Sequence, residues 1–162
     1  MGTSQVIGFM QAEAEAQTGD LAFFDGSTLI DDIIKWDTSS PWCHVGIIIE
    51  FGGRKWLDEP LPSKGPHLVL LAERTPQMIV NRHSSLSEDA LNYAFSKFDL
   101  DYSYENAILA GLGMKTVNGG MMCSEYVGDV LERDGVRGIP SKGLTPGALF
   151  AVFQNCDQTL IS

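Results

Sequence analysis

Residues 44–51 read His-Val-Gly-Ile-Ile-Ile-Glu-Phe. The run is almost wholly apolar and rich in β-branched side chains, the pattern of a strand buried inside a fold. Gly52-Gly53 directly after it reads as a hairpin turn into a second strand over Lys55–Asp58. Leu21–Asp25 gives a further short apolar strand between Gly19-Asp20 and Gly26. A Pro/Gly-rich loop is expected over Glu59–Pro66, then a buried strand over Leu68–Glu73 and one more over Gln77–Asn81.

Helical patterns lie mostly outside this block. Val6, Ile7, Phe9 and Met10, followed by alternating Ala and Glu, predict a helix within residues 5–17, ended by Gly19. Leu29–Trp36 predicts one or two turns of helix. Ser85 or Ser87 caps a helix running to about Phe98, and Ser85 with Glu88 fits a capping box. Asp99–Tyr104 reads as a polar, tyrosine-bearing loop and Glu105–Leu112 as a short helix. Gly119-Gly120 precedes a clear helix over Cys123–Asp134, ended by Gly135, and Thr145-Pro146 opens the last helix. Strands segregated from helices argue for an α+β fold and against a βαβ repeat. The 162 residues show no internal linker and read as one domain, with residues 1–17 as a helical extension.

Charge narrows the partners. The formal net charge of −10 argues against a nucleic-acid footprint or a basic membrane patch. No apolar run approaches the ~20 residues of a membrane span. Met1–Thr18 lacks the basic region and apolar core of a signal peptide, and Val6 stands where a myristoylation site needs Ser or Thr. The three cysteines, Cys43, Cys123 and Cys156, form no CxxC pair, so neither a disulfide framework nor a zinc site is expected. A reducing compartment, by default the cytoplasm, follows. No cofactor is expected.

Cys123 is the most informative position. At helical spacing Cys123, Tyr126, Val127, Val130 and Leu131 share one stripe, which sets Cys123 in the first turn facing the fold. A helix N-terminus offers free N–H groups and a partial positive charge that favour a thiolate and could hold an oxyanion. The competing reading is a small buried hydrophobe, the commonest role of a free cysteine. His44, at the start of its strand and beside a loop, could serve as base to a cysteine, or could be a surface histidine. Cys43 points to the opposite face from His44 and reads as packing, and Cys156 as structural. Glu73, closing an apolar strand, could orient a histidine; its alternative is a solvated strand-end charge. Asp20 reads as capping a turn. His67 and His83 lie in loops and are weaker candidates.

Five segments in order resemble the circularly permuted NlpC/P60 superfamily of papain-like cysteine hydrolases, in its YiiX/YebB-like branch. They are Thr18-Gly-Asp-Leu-Ala-Phe-Phe24, Trp42-Cys-His-Val-Gly-Ile47, the strand ending at Ala72-Glu73, Asp101-Tyr102 and Cys123-Ser-Glu-Tyr-Val127. Leu144-Thr-Pro-Gly-Ala-Leu149 resembles the segment that follows the cysteine helix. His precedes Cys, the inverse of the unpermuted order. The resemblance covers about residues 18–150 and implies a small antiparallel barrel-like sheet packed against the nucleophile-bearing helix. It implies Cys123 as nucleophile, His44 as base and a polar third residue on a following strand. Glu73 matches that third role, with Asp58 or Glu59 as alternatives. Cys123, Ser124, Glu125 and Asp20 would support the site and its oxyanion. Met122 departs from the aromatic residue that often precedes the family cysteine.

The expected activity is therefore that of a thiol hydrolase, a peptidase or amidase. It would cleave an amide of peptide or peptidoglycan type, or an ester, through a thioacyl-enzyme. Lipid or acyl-group chemistry of the lecithin–retinol acyltransferase type is the alternative, with Met114, Met121 and Met122 lining an apolar trough. A non-catalytic interaction module is the third reading.

Overall fold

In a computed structural model, the structure describes residues 2–26, 40–61, 65–98, 123–139 and 144–162. The expected helices at 29–36 and 105–112, the loop at 99–104, Gly119-Gly120, and Met114, Met121 and Met122 lie outside the described residues.

The strand over residues 44–51 is present as β3 (His44–Phe51), and it lies inside the sheet, with a strand on either side. Gly52 and Gly53 both take positive φ, 61° and 71°, as the two-residue turn requires. The chain then returns as β4 (Arg54–Leu61). The other strands are β1 (Ser4–Ile7), β2 (Leu21–Phe24), β5 (Gly65–Leu70), β6 (Met78–Asn81) and β7 (Asp157–Ile161). Among the described residues they form one seven-stranded sheet in the order β1-β7-β6-β2-β3-β4-β5. Every neighbouring pair is antiparallel except β1 with β7, which is parallel. Four α-helices complete the described elements: α1 (Phe9–Glu15), α2 (Glu88–Phe95), α3 (Cys123–Arg133) and α4 (Pro146–Val152).

Alternation along the strands splits the core in two. Leu21, Phe23, Val45, Ile47 and Val80 face α3, whose Tyr126, Val127, Val130 and Leu131 are fully buried against them. Ala22, Phe24, Ile48, Leu57 and Ile79 line the other face, under Ala12 of α1 and Ala16. The α+β class of the sequence reading therefore holds.

Several details differ from expectation. Residues 5–17 are not one helix: Ser4–Ile7 is a strand, and the helix begins only after Gly8. That strand exists because β7, 150 residues later in sequence, supplies its partner (Ser4 opposite Gln158, Ile7 opposite Ile161). β7 itself carried no alternating signal. The expected loop over 59–66 is largely a continued hairpin, with Glu59 opposite His67 and Pro60 opposite Pro66. Its prolines are tolerated because β5 is an edge strand and Pro60 lies beyond the last β3–β4 pair, Ile47 with Asp58. Glu73 does not close a strand: β5 stops at Leu70, and Leu71–Glu73 form a 3₁₀ turn that buries Leu71 and leaves Glu73 exposed. The cap of α2 is Ser87, whose hydroxyl accepts from Ala90 N–H, and not Ser85. Thr145 caps α4 in the same way, as expected. The sheet is open, with β1 and β5 as its edges, so it is not a closed barrel.

Candidate active site

His44 is the first residue of β3 and Cys123 the first of α3. Helix α3 packs across β3 and β4, so the two residues meet at one end of the sheet. Cys123 is 4% exposed and His44 17%. The His44 side chain is hydrogen-bonded to both Cys123 and Glu59. Its Nε2 lies 2.5 Å from Glu59 Oε2, which leaves Nδ1 as the ring nitrogen for the thiol. The Phe24 ring packs against the imidazole at 5.5 Å between centroids. Side chain and environment thus fix the ring on three sides.

The His44–Glu59 contact follows from register. Ile47 pairs with Asp58 and Ile48 with Leu57, so the same ladder extended by one residue sets Gly46 opposite Glu59. Residues 44, 46 and 59 then share one face of the sheet. Gly46 puts no side chain between the carboxylate and the imidazole. A Cβ there would lie 2.8 Å from Leu57 Cδ1 and 2.9 Å from the Asp58 carbonyl.

Arg74 closes the array. Its Nη2 donates to Glu59 Oε2 at 3.2 Å, and its Nε lies 2.9 Å from Oε1. Its guanidinium also sits 5.4 Å from the centroid of the Phe24 ring, a cation–π contact. Glu59 has no solvent exposure, and burial alone would push its carboxyl up. The hydrogen bond and charge of His44, with those of Arg74, outweigh burial and hold it below the ordinary range. For His44, burial disfavours the imidazolium. The charge of a Cys123 thiolate, the hydrogen bond to it, and Glu59 prevail and hold the ring up to about 10. A protonated imidazole between a thiolate and a carboxylate can donate from both nitrogens, and it can pass a proton to a leaving group beside the sulfur.

Glu73 is exposed in its turn, and Glu59 is the carboxylate that reaches His44. Asp20 is buried at the other end of β2: Phe24 pairs with His44, whereas Leu21 pairs with Ile47. It caps the turn before β2, accepting from Gln17 N–H, Arg82 N–H and the Asn81 amide. The structure does not bring it together with His44, which pairs with Phe24 at the opposite end of β2. Ser124 is buried and its hydroxyl donates to the Leu144 carbonyl, tying the start of α3 to the segment before α4. Glu125 is half-buried in the first turn of α3. Cys43 is buried and its thiol donates to the Phe24 carbonyl at 3.4 Å, and no disulfide joins any of the three cysteines. His67 bonds the Gly65 carbonyl and exposed His83 bonds Asp157.

Arg74 was absent from the sequence candidates, since no periodicity marks a residue after a 3₁₀ turn. Glu59 was one of the two alternatives to Glu73, and counting favours it: a two-residue turn at Gly52-Gly53 sets Phe51 opposite Arg54, and the ladder runs back to Ile47 opposite Asp58, one residue short of Glu59.

No protein-family model and no curated protein matches the chain. Among solved structures it is similar to the crystal structure of the metalloprotein yiiX from Escherichia coli O157:H7. The two share 14% sequence identity with a TM-score of 0.71, over 91% of this chain and 98% of that one. At that identity the likeness establishes a YiiX-like fold.

Proposed function

We propose that this chain is a cysteine hydrolase of the permuted papain-like type, cleaving an amide or ester through a thioacyl-enzyme. Cys123 Sγ attacks the carbonyl carbon. His44, as imidazolium, then donates its proton to the leaving amine or alkoxide. In the second half-reaction His44 takes a proton from water, the hydroxide oxygen attacks the thioester, and the thiol is released. Glu59 fixes the tautomer and plane of the ring and stabilises its charge. Arg74 in turn orients Glu59. The backbone N–H of Cys123, at the open first turn of α3, faces the developing oxyanion.

The observation that carries this reading is the continuous contact chain Cys123–His44–Glu59–Arg74 at one end of the sheet. The third carboxylate is thus Glu59 in place of Glu73. Peptide or peptidoglycan-type amides are the substrate class this reading favours. The charge of −10 weighs against tight docking onto an anionic polymer and favours small fragments or neutral peptides. The solved neighbour is described as a metalloprotein. Among the described residues of this chain, no three His, Cys, Asp or Glu side chains form a metal-ligand cluster, so no step is routed through a metal. Incubation with an activity-based thiol electrophile on a peptide scaffold tests the proposal. Labelling at Cys123 that His44→Ala abolishes supports it; equal labelling of Cys43, Cys123 and Cys156 sinks it.

A further inference from the structure

Asp58 is the immediate neighbour of Glu59 on β4, and its side chain points the other way, into the core under α3. It has no solvent exposure. Its Oδ2 lies 2.6 Å from the hydroxyl of Tyr126, which is also fully buried. Its Oδ1 has no hydrogen-bond partner among the described residues. Tyr126 stands one helical turn after Cys123 on the same buried stripe, and its hydroxyl is also 3.4 Å from the Ala94 carbonyl of α2. Three elements, β4, α2 and α3, therefore meet at this one hydroxyl.

The proton count decides the form of the acid. If Asp58 were ionised, its orphan Oδ1 would carry half a negative charge in an apolar core, a costly state. In the neutral acid the proton lies between Oδ2 and Tyr126 Oη, and the tyrosine proton can turn to the Ala94 carbonyl. Oδ1 is then only a carbonyl oxygen, which tolerates isolation far better. Among the described residues, the groups facing Asp58 supply no cation to offset an ionised form. From α3 comes Tyr126, and from α2 the Ala94 carbonyl. From β3 and β5 come the opposed Ile47 and Leu68. Glu59 adds a second negative charge through the sheet, and Tyr93 the next phenol beyond Tyr126.

We propose that Asp58 is a positioning residue that works as a neutral buried acid, clamping the Cys123 helix to the sheet through Tyr126, and that its ionisation loosens the clamp. This deepens, and for its effect on Cys123 rests on, the cysteine-hydrolase reading. Burial and the Glu59 charge outweigh the tyrosine hydrogen bond and bring the acid up to about 7, so the loosening falls near neutral pH.

The test compares the wild type with Asp58→Asn, which keeps a neutral side chain at every pH, and with Tyr126→Phe. Urea midpoints and the rate of Cys123 alkylation by iodoacetamide are measured between about pH 5 and about pH 8. The wild type is expected to lose stability relative to Asp58→Asn as pH rises. The ratio of alkylation rates, variant over wild type, is expected to rise several-fold over the same interval. Tyr126→Phe is expected to slow alkylation at both ends. A midpoint difference and a rate ratio that both stay flat overturn the proposal. If Asp58→Asn does not fold, carbon-13 NMR of the wild type labelled at aspartate carboxyls replaces it. One carboxyl titrating near neutrality supports the clamp, and none doing so overturns it. Should Cys123 label no faster than Cys43 and Cys156, the hydrolase reading fails, while the urea and carbon-13 results still decide the clamp.

Discussion

Glu59 makes its ring contact with one oxygen and meets Arg74 with both, and that division sets what single substitutions do. Glu59→Gln keeps the shape but removes the charge that stabilises the His44 imidazolium. It is expected to lower turnover by roughly 10²–10⁴-fold while the chain still folds; steady-state kinetics beside circular dichroism checks both halves. Arg74→Ala leaves a buried carboxylate with one cation fewer. Because the guanidinium is partly exposed, solvent screens part of the loss, and a stability decrease of about 1 kcal/mol is expected by urea titration. Cys123→Ser should abolish turnover and leave the urea midpoint nearly unchanged, and Cys43→Ser should leave turnover nearly intact. At this scale the sequence was legible where local pattern speaks. The helical stripe set Cys123 in the first turn and the β-branched run set His44 at a strand start. It was not legible at Arg74, whose approach to Glu59 depends on where a 3₁₀ turn delivers it.

At the scale of elements, the β3–β4 hairpin controls the site through Gly46. Gly46→Ala would drive a methyl against Leu57 and the Asp58 backbone, so the strands must part. A loss of about 1–3 kcal/mol is expected, together with slower Cys123 alkylation, because the same displacement draws Glu59 from His44. Calorimetry and labelling on one sample would show the two effects together; destabilisation without slower labelling would uncouple the hairpin from the site. The turn at Gly52-Gly53 and the caps at Ser87 and Thr145 were readable because each is a local chemical choice. The continuation of β4 through Pro60 was not, because proline argues against a strand unless its neighbour across the ladder is known. β1 failed for the same reason, since four exposed to half-buried residues become a strand only when β7 arrives beside them.

At the scale of the whole molecule, four of the described groups shape the response to pH from acid to mildly alkaline conditions. Asp157, exposed but hydrogen-bonded by Thr3 N–H, His83 and the Thr3 hydroxyl, is held down to about 2. Glu59 is also held low. Both contribute stability that is present above the ordinary carboxyl range and lost as the pH falls through their folded values. Asp58 works in the opposite direction: stability falls as the pH rises from 3.8 to about 7. His44 contributes fully below 6.5 and loses its contribution as the pH rises through about 10. Urea midpoints against pH should therefore peak on the mildly acidic side, at about pH 4–5; a maximum at alkaline pH would contradict these assignments. The parallel pairing of β1 with β7 carries a different consequence, one of timing. Thr3 and Asp157, which bond across it, are 154 positions apart. Contacts that distant carry a heavy loop-closure cost, and on a ribosome the first strand waits until nearly everything between has been synthesised. β1 should thus be the last piece to dock, after Cys123 and His44 have met, so the reactive pair would be assembled while that side of the sheet still lies open to chaperones.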